Sequence, residues 1–112
     1  MKLPAADRAV VDPAKVRDYL LSSEHPVGRS KAPFFRALGF THAQWPVLQQ
    51  ALLTLAQTTD ATLGQANAFG QKYIVRGSLI GPNGRTAETV TVWIVLAQEP
   101  VPRFVTAYPG AS

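Results

Sequence analysis

Apolar residues recur at helical spacing in the first half of the chain and at alternate positions in the second, with the change near Gly64. Asp12-Pro13 opens the first helix: an N-cap side chain is followed by a proline at the first helical position, where its missing N–H costs nothing. Val16, Tyr19 and Leu20 then fall on one face, and the helix ends at Ser22-Ser23. The run Ala9-Val10-Val11 ahead of it is expected to be extended. Ser30 is expected to cap a second helix carrying Phe34, Phe35 and Leu38, with Pro33 in the first turn and Gly39 in the left-handed C-terminal position. Thr41-His42-Ala43-Gln44 reads as a capping box stapled by Phe40 and Trp45. The third helix turns Trp45, Leu48, Leu52 and Leu55 inward and fades around Thr58–Asp60.

The second half reads as strands. Lys72 to Ile80 alternates, with Tyr73, Val75 and Leu79 on one side and Arg76 and Ser78 on the other. Gly81-Pro82-Asn83-Gly84 is a turn. In the strand from Glu88 to Leu96, the aliphatic set Val90, Val92, Ile94 and Leu96 is expected to face the helices, leaving Thr89, Thr91, Trp93 and Val95 on the outer face. Gln98 to Pro102 turns the chain into a last strand, Arg103 to Tyr108, and Ala66 to Gly70 supplies a short edge strand. Helices in a block followed by strands in a block predict an α+β fold, with N-terminal helices on one face of a C-terminal antiparallel meander of three to four strands. The chain is read as one domain, residues 1–112, with a helical half over about 12–60 and a β half over about 66–109.

Composition narrows the chemistry. Among 112 residues, 46% are hydrophobic and 16% charged, so the chain can build a core. It has no cysteine, which removes disulfides and thiolate metal sites. No apolar run approaches the roughly 18 residues of a membrane span. Lys2 is followed by no continuous apolar segment, so no signal peptide is read and a cytoplasmic location is expected. Eleven Lys and Arg against seven acids give +4 and a pI near 9.9, which favours polyanionic partners, RNA above all.

Two places carry candidate chemistry. His25-Pro26-Val27-Gly28-Arg29-Ser30-Lys31 packs an imidazole, two cations, a hydroxyl and a flexible glycine ahead of a helix. His25 is the natural general acid or base. Lys31 and Arg29 suit a phosphate, and Gly28 permits a close backbone approach. The competing reading is a capping loop with solvated charges. His42, in the first turn of the third helix, reads as structural. On the outer sheet face, Arg76, Thr91 and Trp93 share one expected parity. Thr106 and Tyr108 share a parity on the last strand, with its side left open. Such a surface grips phosphates and stacks a base, although threonines and aromatics are also ordinary strand formers. Two histidines and dispersed acids make no metal ligand set, and no phosphate-binding glycine loop or nucleophile elbow occurs.

The runs H-P-V-G-R-S-K-A-P-F-F-R-A-L-G-F, G-Q-K-Y-I-V-R-G-S-L-I-G-P-N-G-R, T-V-W-I-V and P-R-F-V-T-A-Y-P, over roughly residues 16 to 109, resemble a small bacterial domain family of unknown function. That family occurs alone and as C-terminal cargo of polymorphic and contact-dependent toxins, and it is similar to the barnase–EndoU–colicin–RelE group of ribonuclease folds. The resemblance implies a metal-independent ribonuclease without a cofactor, with tRNA among its candidate substrates and a cognate antitoxin or immunity protein as partner. His25 and Lys31 match the loop motif. Thr91, Trp93, Thr106 and Tyr108 match the strand motifs. The reading is then catalysis by His25, Lys31 and Thr91, substrate binding by Arg29, Arg76, Trp93, Thr106 and Tyr108, and a 2′,3′-cyclic phosphate product. The alternative is a non-catalytic RNA-binding or protein-interaction module using the same surface.

Overall fold

The computed structural model describes residues 1–110. A 3-10 turn (Ala6–Arg8) precedes helix α1 (Pro13–Lys15), which runs directly into a π-helical turn (Val16–Leu20). A second 3-10 turn (Gly28–Ser30), α2 (Ala32–Ala37) and α3 (Trp45–Thr58) follow. Strands β1 (Ala61–Ala66), β2 (Gly70–Ile80), β3 (Thr86–Leu96) and β4 (Glu99–Pro109) form one antiparallel sheet in the order β1-β2-β3-β4. This is the α+β meander that the block pattern predicts.

The helical starts and stops are local. Asp12 accepts the Ala14 N–H at 2.9 Å and caps α1. In the π turn, Leu21 N–H donates to the Val16 carbonyl at 3.0 Å. The wider turn brings Val16, Leu20 and Leu21 together into the core. Ser30 does not cap α2. Its hydroxyl donates to the Val27 carbonyl at 2.8 Å, and α2 begins behind Lys31 without a side-chain cap, because the preceding 3-10 turn already takes the Lys31 N–H on Gly28 O at 2.8 Å. Gly39 has φ +96°, as a left-handed helix stop requires. The expected capping box does not start α3: Thr41 Oγ1 accepts the Gln44 N–H at 3.2 Å in the turn ahead of it, the helix begins at Trp45 behind Gln44 without a side-chain cap, and it buries Leu48, Leu52 and Leu55.

Several strand expectations need correction. The first strand is β1, already formed at Ala61, whereas 67–69 is the turn into β2, where Asn67 Oδ1 accepts the Phe69 and Gly70 N–H groups. Leu63 is exposed, so β1 shows no apolar alternation to detect. The β3–β4 connection is shorter than expected, since Leu96 sits opposite Glu99. Pro100 and Pro102 are tolerated because β4 is an edge strand. Val10 is extended as expected: it bridges to Arg103 in parallel, donating to Pro102 O and accepting from Phe104 N–H, each at 2.9 Å.

The largest correction concerns the faces of β3. Trp93 lies opposite Tyr73, and Thr91 opposite Val75. Directly paired residues share a face, so Thr91 and Trp93 point into the core with Leu79, and both are fully buried. Val92 and Ile94 are the outward set. Trp93 and Phe104 meet edge to face at 5.4 Å. β3 is rich in apolar residues on both sides, so alternation cannot choose its face. What chooses is a polar account: Thr91 donates to Val75 O at 3.0 Å and accepts the Trp93 indole N–H at 2.8 Å, which lets both enter the core satisfied. β4 carries a bulge, with Phe104 opposite Trp93 and Thr106 opposite Val92. Phe104 and Ala107, three apart, therefore both reach the core.

Removing the Thr91 hydroxyl should leave the indole N–H unpaired. Thr91→Val is expected to lower stability by about 1–3 kcal/mol in urea unfolding, while Thr91→Ser keeps most of it. Equal stability of the valine variant and wild type would show that this bond holds nothing.

Candidate functional site

The π turn sets Tyr19 beside the core at its open flank. The chain then bends at Ser22, whose Oγ accepts the N–H groups of Glu24 and His25, each at 3.1 Å. His25 Nδ1 accepts from Val27 and Gly28 N–H, each at 3.0 Å. Gly28 lies so close to the helix end that a Cβ there would come within 1.8 Å of Tyr19 O. The close approach expected of this glycine is thus made to the protein's own backbone. The loop delivers Lys31 to β4, where Nζ donates to Thr106 Oγ1 at 2.6 Å. The same hydroxyl is 2.9 Å from Tyr19 Oη.

Around this junction the rings and cations gather. The His25 and Tyr19 rings meet edge to face at 4.9 Å. Lys31 Nζ is 5.2 Å from the Tyr19 centroid and 5.9 Å from that of Tyr108, and Lys15 Nζ is 5.6 Å from Tyr19. Burial pushes the Tyr19 phenol pKa up. The Lys31 ammonium and Thr106 hydroxyl near its oxygen, with the charges of Lys31 and Lys15, outweigh that and hold it below the ordinary value.

Two chemical consequences follow. Because His25 Nδ1 accepts two N–H groups, a neutral ring carries its proton on Nε2, and that nitrogen has no hydrogen-bond partner among the described residues. In this arrangement His25 offers a hydrogen-bond donor, not a base. Thr106 Oγ1 takes the ammonium proton on one lone pair and keeps its own proton free to point at Tyr19.

The structure brings His25, Lys31, Thr106 and Tyr108 into one cluster. It leaves Thr91 and Trp93 out, since both are sealed in the core. Arg29 is exposed on the 3-10 turn of the loop. Arg76 is exposed on β2 and donates to Gly110 O at 2.9 Å. It shares a cross-strand row with Val90 and Tyr108, which puts its Cα roughly 10 Å from that of Tyr108. His42 is exposed at the approach to α3. Tyr19 and Lys15 are the members that sequence reasoning missed. Spacing alone puts Tyr19 on the core face, although a phenol among aliphatics needs a polar partner. Lys15, one turn before it, was the accompanying signal. Among the described residues no three His, Asp or Glu side chains group as metal ligands.

Residues 2–111 match the model of a family described as a domain of unknown function, DUF6883. No curated protein matches the chain. Among solved structures, a chain of a contact-dependent growth inhibition toxin–immunity protein complex from Klebsiella pneumoniae 342 shares the fold, with a TM-score of 0.69 at 19% identity over 96% of this chain and 97% of that one.

A depressed phenol pKa adds stability that is complete above the ordinary phenol range, and that increment is lost as pH falls through the folded value. Tyr19→Phe should therefore cost only its hydrogen bond near neutrality, about 0.5–1.5 kcal/mol. The deficit should widen on going from about pH 7 to about pH 10 in urea unfolding. A deficit that stays constant would mean that Tyr19 titrates normally.

Proposed function

The chain belongs to the family of domains of unknown function DUF6883, and we propose that it is a toxin-like ribonuclease. It would cleave RNA by attack of the ribose 2′-oxygen on the adjacent phosphate, leaving a 2′,3′-cyclic phosphate. The observation that carries this reading is the meeting of Tyr19, His25 and Lys31 from the helical half with Thr106 and Tyr108 from β4. Phosphoryl transfer concentrates negative charge on the non-bridging oxygens, and preset donors lower the barrier by meeting it. Lys31 Nζ and His25 Nε2–H are two such donors, and the Lys15 charge lies on the same tyrosine. These cations and dipoles perform the electrostatic work that a metal ion performs in other nucleases.

Tyr108 is 40% exposed and suits stacking of an unpaired base. Arg29 and Arg76 are exposed and would serve neighbouring phosphates. The fold shared with a chain of a toxin–immunity complex supports the toxin-like half of the reading, and tRNA is the substrate to try first. The charge of +4 suits an acidic immunity protein as partner. No helix among the described residues is long and apolar enough to cross a membrane.

The test is incubation of total RNA and tRNA with purified protein in EDTA. Wild type should yield fragments with cyclic phosphate ends. Lys31→Met should lose about 10²–10³-fold in rate. Arg29→Ala with Arg76→Ala should flatten the salt dependence of RNA binding. Folded wild type that cleaves no RNA overturns the enzyme reading. Salt-dependent binding without cleavage would instead establish an RNA-binding module, and no binding at low salt would dispose of both.

A further inference from the structure

If the donors at this site meet the phosphate, a group is still needed to take the 2′-hydroxyl proton, and the bonding of His25 Nδ1 removes the obvious one. We propose, resting on the ribonuclease reading, that Tyr19 is the general base, that Lys31 is the general acid, and that the Thr106 hydroxyl returns the proton between them.

The geometry is a line of three heteroatoms. Tyr19 Oη lies 2.9 Å from Thr106 Oγ1, which lies 2.6 Å from Lys31 Nζ. A hydroxyl bridging two titratable groups passes protons in either direction by accepting on one side and donating on the other. The groups that face Tyr19 are Lys15 from its own helix, His25 and Lys31 from the following loop, and Thr106 from β4. Two of the four are cations and none is an anion, so the surroundings favour phenolate. Its lowered pKa agrees with that.

In the forward step the Tyr19 phenolate takes the proton from the 2′-hydroxyl as O2′ bonds to phosphorus. The bond from phosphorus to O5′ breaks, and the departing oxygen takes a proton from the Lys31 ammonium. Tyrosine is then neutral and lysine is a free amine. Thr106 gives its proton to the amine and accepts that of the phenol, restoring phenolate and ammonium. One proton enters and one leaves, so the products are the cyclic phosphate and a free 5′-hydroxyl, and no outside co-reactant is consumed. In this scheme His25 orients: its ring stands against Tyr19, and Nε2–H remains to donate to the phosphate.

The variant that isolates the claim is Tyr19→Phe, which keeps the ring contacts with His25 and both lysines. Cleavage should fall by about 10²–10⁴-fold while RNA affinity stays near that of wild type. Thr106→Ser should retain more activity than Thr106→Val. An independent readout is the ultraviolet titration of the three tyrosines. One phenol should ionise ahead of the other two in wild type. It should be missing in Tyr19→Phe, and later in Lys31→Met. The rising limb of the wild-type pH–rate profile should follow that early phenol. Wild-type cleavage by Tyr19→Phe, or equal loss of binding and cleavage, overturns the base assignment while leaving the ribonuclease standing. No cleavage by wild type overturns both. An early phenol in the titration would then show that the cations lower Tyr19 without that reaction, and its absence would show that they do not.

Discussion

The bulge in β4 is the constraint on which the rest of the arrangement depends. A regular strand would place Phe104 and Ala107 on opposite faces. The extra residue lets both pack into the core and leaves Thr106 in the row of Val92 at the sheet edge, where Tyr19 and Lys31 share its hydroxyl. One irregular residue thus reconciles two demands: a filled core beneath the edge strand, and a polar atom available beside it. Bulges recur where a strand must re-aim a side chain, and here the re-aimed side chain joins the two halves of the chain.

The helical side of that junction is built with equal economy. The π turn enlarges the buried surface of a very short helix by gathering Val16, Leu20 and Leu21, which holds Tyr19 at a fixed height above β4. Gly28 presses the following loop onto the Tyr19 carbonyl, so the imidazole and the phenol cannot drift apart independently. Short helices are weak by themselves. These are held by tertiary contacts, and that rigidity places three polar atoms in register without a long element behind any of them.

Much of this was readable beforehand. The Asp12 cap, the Gly39 stop, the inward leucines of α3 and the meander all follow from short-range rules that act within a few residues. What failed depends on partners distant in the chain. The β3 faces could not be told from alternation, because Val92 and Ile94 look as core-like as Trp93 does, and the deciding bonds run to Val75 and between Thr91 and Trp93. The side of Thr106 could not be read because a bulge changes parity without any compositional mark. Tyr19 escaped notice since its partner lies 87 positions away. His25, Lys31, Thr106 and Tyr108 were named from motif chemistry, whereas their mutual contacts are a tertiary fact.

The β2–β3 turn shows a further consequence of close packing. Asn83 donates from Nδ2 to the Ala37 carbonyl at 3.1 Å, and a Cβ at Gly81 would come within 1.8 Å of the Leu38 carbonyl. The far end of α2 is therefore closed by a strand connection, while its near end carries Lys31. A two-residue Asn-Gly reversal would serve the hairpin as well. It would strip the last carbonyls of the helix bare, so the composition of this tip answers to a neighbour as much as to its own backbone.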